Sequence, residues 1–432
     1  MKYGRALAAL CFICLLCACT GPSVRYKHKV IGDMQSHNFE AAQARIKNAQ
    51  KTYGRRDASL YYLDLSAQQD SINYSTNTLT LLTEAENRQE ALYAKSISQK
   101  MASFIINGYT EPYRLKYFEM GYLFFYKILA YLQEKNLQDA LVETRTMVFF
   151  LDKLRENTGK DDPFLQYFAS QLFLMWGAYS DARICKENAE NAYINFADSY
   201  AKMPAKVQFT EEDRNKGLLT VQHLNGMIPF LISQKTMVAW NRFGFAIGTT
   251  NGYETVDQNV LTAALAGAYG DAIAVALPKV QEVPYEVKGS RLLVDGITVA
   301  ETTLVSNLTY LFKKNFDEEY NKILITSAVR AATKFLITKS AQNGMNKKDN
   351  TVGSITDIIL TSLFTATENA DTRSWFTLPA QIREANVLVE EGKHEIKLQL
   401  LDEDNKVLDE HLWKDVQINR GRHTYLYVRT AK

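Results

Sequence analysis

The sequence predicts an α+β multidomain protein, in which an N-terminal α-helical TPR-like solenoid precedes a C-terminal antiparallel β-sandwich-like domain with inserted helices. From about residue 33 to 204, apolar residues recur at spacings of three and four, which is typical of helices. After Pro204 the chain changes to short apolar or alternating runs bounded by Gly and Pro, which favour strands. The 432 residues are more than one compact core usually serves, so two or three domains are expected.

The N-terminal segment has the pattern of a bacterial lipoprotein signal peptide over residues 1–18. Lys2 and Arg5 precede an apolar run from Ala6 to Leu16, and small residues lead to Cys19. The run has about half of the roughly 20 residues that a membrane-spanning helix needs. We therefore expect cleavage before Cys19 and attachment of lipid, including palmitate, to that residue.

The residue after Cys19 bears on the location of the mature protein. Thr20 is not the Asp that retains lipoproteins in the inner membrane of enteric bacteria. We expect a lipid anchor in the outer membrane, a tether over 19–32 and a protein that faces the periplasm. Cys185 is then the one remaining thiol, and we expect it to pack as a small hydrophobic residue.

A motif repeats along the predicted helical domain, 33–204. A bulky residue stands three positions before a small or compact one in four segments: Phe39–Ala42, Tyr74–Asn77, Leu137–Ala140 and Tyr179–Ala182. The first two copies start 35 residues apart and the last two 42, close to the period of about 34 for TPR helix pairs. The motif therefore predicts the TPR-like solenoid.

Two charged residues of this domain are candidate binding residues. Glu143 and Arg145 follow an apolar helix that extends over about 122–132. They form either a paired or solvated face, or polar contacts in the groove where such solenoids bind protein partners.

The second half of the chain is predicted in three parts. Residues 205–303 are strand-rich, 304–370 return to helical spacing, and 371–432 alternate between apolar and polar positions. Ile396, Leu398 and Leu400 share one strand face, as expected for a small antiparallel sandwich.

Asp371, Arg373 and Trp375 form a further candidate site. In an extended segment Asp371 and Arg373 share a face and can pair, while Trp375 brings a large apolar area and an indole N–H that needs an acceptor. These residues form either a structural clasp between helix 354–366 and the terminal sandwich, or an exposed recognition patch. The solvent exposure of Trp375 distinguishes the two interpretations.

Several segments together resemble an uncharacterised family of TPR-containing bacterial envelope lipoproteins. The resemblance rests on Tyr131–Leu132, Asp139–Arg145, Ala276–Lys279 and especially Glu368–Pro379, which contains Ala-Asp-Thr-Arg-Ser-Trp-x-x-Leu-Pro. It implies an outer-membrane or periplasmic location and a link to peptidoglycan assembly. It implies no particular reaction or ligand.

The sequence contains no recognisable catalytic motif. Its six histidines are scattered without metal-ligand spacing, and no nucleophile elbow or phosphate-binding glycine loop is present. Charge is nearly balanced, with 50 Lys and Arg against 48 Asp and Glu, which argues against a nucleic-acid partner. We expect no catalytic residues, metal or cofactor.

The expected function is therefore that of a membrane-anchored protein-protein interaction module or adaptor of the cell envelope. The alternative is an envelope polysaccharide-binding protein or hydrolase whose site forms only in the fold. A cleft with two carboxylates about 5 to 9 Å apart beside exposed aromatics favours a hydrolase. A groove lined by Asn, Arg and Tyr without such a pair favours the adaptor. A structural envelope subunit that assembles with itself is a third possibility, and the oligomeric state stays open.

Overall fold

The protein is a mixed α+β structure with N-terminal helices and C-terminal sheets, as the sequence predicts at this level. A computed structural model describes residues 22–69, 76–95, 112–196, 200–205, 207, 210–239, 272–345 and 370–432. The helices of the first half are α1 (Val24–Gln35), α2 (Phe39–Asn48), α3 (Gln50–Tyr53), α4 (Ala58–Gln69), α5 (Thr76–Lys95), α6 (Tyr117–Gln133), α7 (Leu137–Thr158), α8 (Pro163–Met175) and α9 (Tyr179–Asn195).

The predicted tether, 19–32, overlaps the first helix. α1 begins at Val24, after the N-cap Ser23, whose hydroxyl accepts a hydrogen bond from the Tyr26 N–H. Its buried residues, among them Val30 and Met34, pack against α2. The amphipathic pattern of the segment therefore produces a docked helix from Val24 onward.

The helices pack mainly against their neighbours in sequence. Contacts follow the order α1 with α2, α2 with α4, then α4 with α5, and so on to α8 with α9. α6 is apolar nearly all round, and its residues from Phe118 to Ala130 are buried, as its composition predicts. The finer interpretation as a TPR solenoid stays a prediction.

Three helix pairs are joined by the same type of corner. In each, the second residue after the first helix has a positive φ. Its N–H donates to the carbonyl three residues back, and the N–H of the next residue donates to the carbonyl five residues back. This is a Schellman motif, which satisfies carbonyls that the helix leaves open. The positive-φ residues are His37, Lys135 and Gly177.

Each corner leads into one copy of the repeated sequence motif. The bulky residue is the first of the next helix, and the alanine three positions later is buried: Ala42, Ala140 and Ala182. Three of the four copies thus start a helix directly after a corner. The remaining copy, at 74–77, begins outside the described residues.

The strands form three sheets in the described part of the chain. They are β1 (Lys216–Asn225), β2 (Phe230–Ala239), β3 (Ala272–Gln281), β4 (Gly289–Val294), β5 (Ile297–Glu301), β6 (Thr303–Asn307), β7 (Gln381–Glu390), β8 (Gly392–Leu401), β9 (Val407–Ile418) and β10 (His423–Thr430). The first sheet has the order β10-β1-β7-β6, the second the order β5-β4-β8-β9, and β2 pairs with β3. Helix α10 (Leu308–Met345) follows β6, so residues 304–307 of the predicted helical part are strand.

One strand pair departs from the predicted antiparallel arrangement. β10 runs parallel to β1, from His423 opposite Leu218 to Thr430 opposite Asn225. The chain leaves β9 in the second sheet and enters β10 in the first, so these consecutive strands do not form a hairpin.

The first sheet lies between the helices and the second sheet. Leu219 and Val221 of β1 share a buried core with Ile396 and Leu398 of β8. On the other face of β1, Leu224 belongs to the core shared with the helices. The finer interpretation of the two sheets as a sandwich stays a prediction.

Residues 371–377, which we call the clasp, connect the helices to the first sheet. Trp375 is 1% exposed, its ring lies 5.6 Å from that of Tyr126 in α6, and its backbone N–H donates to Glu119 at 2.8 Å. Lys27 of α1 donates to the carbonyl of Thr372 at 2.7 Å. The buried indole is therefore packed inside the protein and does not form an exposed recognition patch.

A buried ion pair reinforces the clasp. Arg373 donates to Asp57 at 2.9 Å, just before α4, and also to both carboxylate oxygens of Asp371. The side chains of Arg373 and Asp57 are each 5% exposed. Helix 354–366, which the sequence suggested as the partner of the clasp, lies outside the described residues.

Arg373→Met should destabilise the protein strongly, since it leaves the carboxylate of Asp57 buried without its cation. Breaking a buried pair in this way typically costs about 3–5 kcal/mol. Urea unfolding would measure the loss. Arg55→Met is the matched control, because Arg55 is exposed. Adding Asp57→Asn to Arg373→Met should recover part of the loss. Equal stability of Arg373→Met and Arg55→Met would contradict the assignment.

Candidate ligand cleft

A cleft opens where the corner between α8 and α9 meets the first sheet. Its volume is about 540 Å³, within the range of about 300–1,000 Å³ that is usual for ligand sites. α8 and its corner contribute Tyr167 and Trp176, while β7 and β10 contribute Asn386 and His423. Met203 to Ala205 also line the cleft. We call this site the α8–α9 cleft.

Local sequence signals position the aromatic side chains of the cleft. Asp162 caps α8 by accepting from the Leu165 N–H at 3.0 Å, and Pro163 occupies the first turn, where it leaves no unsatisfied donor. The helix ends at Met175, Trp176 is its C-cap residue, and Gly177, with φ 74°, turns the chain into α9. Tyr179 is the first residue of α9 and remains 72% exposed.

A buried carboxylate lies behind the cleft. Glu384 of β7 is 2% exposed and accepts hydrogen bonds from the hydroxyl of Tyr167 and the amides of Asn386 and Gln222, each at 2.7 Å. Burial raises the pKa of Glu384, while the three donors oppose this by stabilising the charged form. Glu384 thereby fixes the orientation of two cleft residues, Tyr167 and Asn386.

The orientation of Asn386 determines the tautomer of His423. Since the Asn386 amide nitrogen donates to Glu384, its oxygen faces Thr220 and accepts the hydroxyl hydrogen of that residue. The Thr220 hydroxyl has only this one hydrogen, so its oxygen accepts a hydrogen bond from the Nε2–H of His423, with the two heavy atoms 2.7 Å apart. Burial lowers the pKa of His423 to about 4, which keeps the ring neutral at pH 7. Nδ1 is then an acceptor, and it has no hydrogen-bond partner among the described residues.

The rim of the cleft is positively charged. Lys186 of α9 and Arg422, in the turn before β10, contribute its charged side chains, and none of the described lining residues is acidic. Lys186 also pairs with Glu190 one turn further along α9, with both side chains partly exposed. No described carboxylate pairs with Arg422.

The residues singled out in the sequence lie elsewhere. Glu143 is buried and pairs with Lys127 at 2.7 Å, and Lys127 also pairs with Glu86 at 2.6 Å. Arg145 is exposed on α7. Asp371, Arg373 and Trp375 belong to the clasp, and Cys19 lies outside the described residues. The structure thus does not bring these candidates together in the cleft.

Sequence reasoning missed the cleft residues, although a signal was present. On β1 the polar Thr220 and Gln222 alternate with the apolar Leu219 and Val221, and all four are buried. A strand that is buried on both faces and polar on one of them indicates a hydrogen-bond network on that face. Its partners on α8, β7 and β10 require the fold.

Comparisons with family models, curated proteins and solved structures give no match to the chain. Among the described residues, no three or more His, Cys, Asp or Glu side chains are grouped to hold a metal ion. None of the helices in the described part of the chain is long and apolar enough to cross a membrane.

The neutral, half-buried His423 should make stability depend on pH. Unfolding restores its ordinary pKa of about 6.5, so between pH 6.5 and 4 the unfolded state binds more protons and the free energy of unfolding falls as pH falls. The contribution amounts to about 3 kcal/mol. Urea unfolding of the wild type and His423→Gln at several pH values should show their difference shrinking over this window. A constant difference would contradict the neutral ring.

Asn386→Leu should move the ring proton of His423. Without the amide oxygen, the hydroxyl hydrogen of Thr220 is free to donate to Nε2, so the neutral ring carries its proton on Nδ1. Nitrogen-15 spectra of histidine-labelled protein distinguish the tautomers, and His423→Gln identifies the resonance. Asn419→Leu, in the exposed turn before β10, is the control. An unchanged tautomer in Asn386→Leu would overturn the assigned hydrogen-bond directions.

Proposed function

We propose that the protein is a lipid-anchored periplasmic adaptor, held in the outer membrane through Cys19, that binds a protein partner of the cell envelope at the α8–α9 cleft. The signal-peptide pattern over residues 1–18 supports the anchor. The resemblance to TPR-containing envelope lipoproteins supports a role linked to peptidoglycan assembly.

The observation that carries the adaptor proposal is the lining of the cleft. It combines the amide of Asn386, the cation of Arg422 and the phenols of Tyr167 and Tyr179, and its described residues include no carboxylate. Glycoside hydrolases use two carboxylic groups that flank the scissile bond. The cleft therefore fits a binding site better than the hydrolase of the alternative.

The arrangement of the helices supports the same proposal. Helices packed in sequence and joined by recurring corners form extended surfaces, and such arrays commonly bind partners. The α8–α9 corner is one of these corners, and it lies against the first sheet. We propose that the helical array is a TPR-like solenoid and that the two four-stranded sheets form a sandwich that completes the cleft.

Photo-crosslinking in cells tests the adaptor. A benzophenone amino acid replaces Tyr179 in the full-length, lipidated protein, and the products are identified by mass spectrometry. The matched control position is Ile194, which is 79% exposed on the same helix, about 22 Å away. We expect one envelope protein to be captured from position 179 and not from position 194.

The outcomes separate the possible functions. Capture of glycan alone from position 179 would favour the polysaccharide-binding alternative, and identical products from both positions would contradict a partner site at the cleft.

Cell fractionation tests the anchor: the wild type should sediment with the outer membrane and incorporate palmitate, as should Cys185→Ser. Cys19→Ser should lose the label.

A further inference from the structure

We propose that the α8–α9 cleft binds an extended acidic peptide segment, with carboxylate side chains at Arg422 and Lys186 and an apolar side chain beside Trp176. This inference rests on the proposed function, because it names the class of ligand that the adaptor site accepts.

The charges of the cleft favour an anionic ligand. Arg422 comes from the turn before β10 and Lys186 from α9, so two cations reach the same cleft from separate elements. The described lining includes no acidic side chain, and Arg422 has no carboxylate partner among the described residues, whereas Lys186 also pairs with Glu190 outside the lining. A guanidinium that has no carboxylate partner among the described residues is suited to paired hydrogen bonds with a ligand carboxylate.

The apolar side chains of the cleft require a second feature of the ligand. Leu174 is 48% exposed at the end of α8, and Trp176 and Met203 are half-buried nearby. Exposed apolar groups surrounded by polar ones are typical of interaction sites. The flexible thioether side chain of Met203 can adapt to ligand side chains of different shapes. The ligand therefore combines negative charge with an apolar group.

His423 adds a third requirement, a hydrogen-bond donor. Its Nε2–H is already bonded to Thr220, so a ligand meets the lone pair of Nδ1. A backbone N–H of a peptide supplies this donor, whereas a fully ionised phosphate does not. A neutral glycan supplies hydroxyl donors but no charge for Arg422 and Lys186. An acidic peptide satisfies all three requirements.

A selection experiment tests the ligand class. The purified full-length lipoprotein in detergent micelles is used to select binders from a random dodecapeptide phage library, and the enriched peptides are synthesised. We expect net negative peptides that contain a large apolar residue. Their affinity should fall at least about tenfold in Arg422→Glu, the size expected for losing a hydrogen bond to a charged group.

Arg420→Glu is the matched control, because Arg420 is exposed two positions away in the same turn and does not line the cleft. It makes the same charge change and should leave binding unchanged. His423→Gln should weaken binding, since it keeps the donor to Thr220 and loses the ring acceptor. Circular dichroism shows whether each variant is folded.

Several results would overturn the proposal. These are enrichment of neutral or basic peptides, equal loss of binding in Arg420→Glu and Arg422→Glu, or no peptide that prefers the wild type to Arg422→Glu. Binding of an N-acetylglucosamine tetramer without any peptide binding would replace the peptide by a glycan. If peptide selection fails while position 179 still captures a protein, the acidic ligand is wrong and the adaptor stands; if both fail, both are wrong.

Discussion

The buried carboxyl group of Glu384 is the constraint on which the arrangement of the α8–α9 cleft depends. A carboxylate that is 2% exposed has lost its water and must be bonded by protein donors. Tyr167, Gln222 and Asn386 provide them, from α8, β1 and β7. These bonds hold α8 against the first sheet and determine which way each amide points.

The same constraint extends to the surface of the cleft. The fixed amide of Asn386 directs the hydroxyl of Thr220, and Thr220 in turn selects the tautomer of His423. The donor and acceptor sites of His423, which is half-buried at the cleft, are thus determined by the buried carboxyl group of Glu384. Such preorganisation lowers the entropic cost of binding, because the polar groups of the site do not have to reorient.

Sequence reasoning succeeded where local rules decide the structure. The apolar composition of α6 requires burial, and the motif that begins at Leu137 marks a helix start directly after a corner. It could not find the cleft, because Tyr167 and Asn386 are 219 positions apart and meet only in the fold. The pairing of Arg373 with Asp57, 316 positions away, was hidden for the same reason. The parallel pairing of β10 with β1, strands about 200 positions apart in the chain, is not encoded in the local periodicity.

In the cell, we propose, a partner covers the α8–α9 cleft. Thiol accessibility tests it directly, since Cys185 is buried and Tyr179→Cys places a reactive group at the cleft. Ile194→Cys, on the same helix, is the reference. A membrane-impermeant maleimide should label Cys at position 179 slowly in permeabilised cells and quickly in the purified protein, and at position 194 quickly in both. Equal and rapid labelling of both positions in cells would contradict the account.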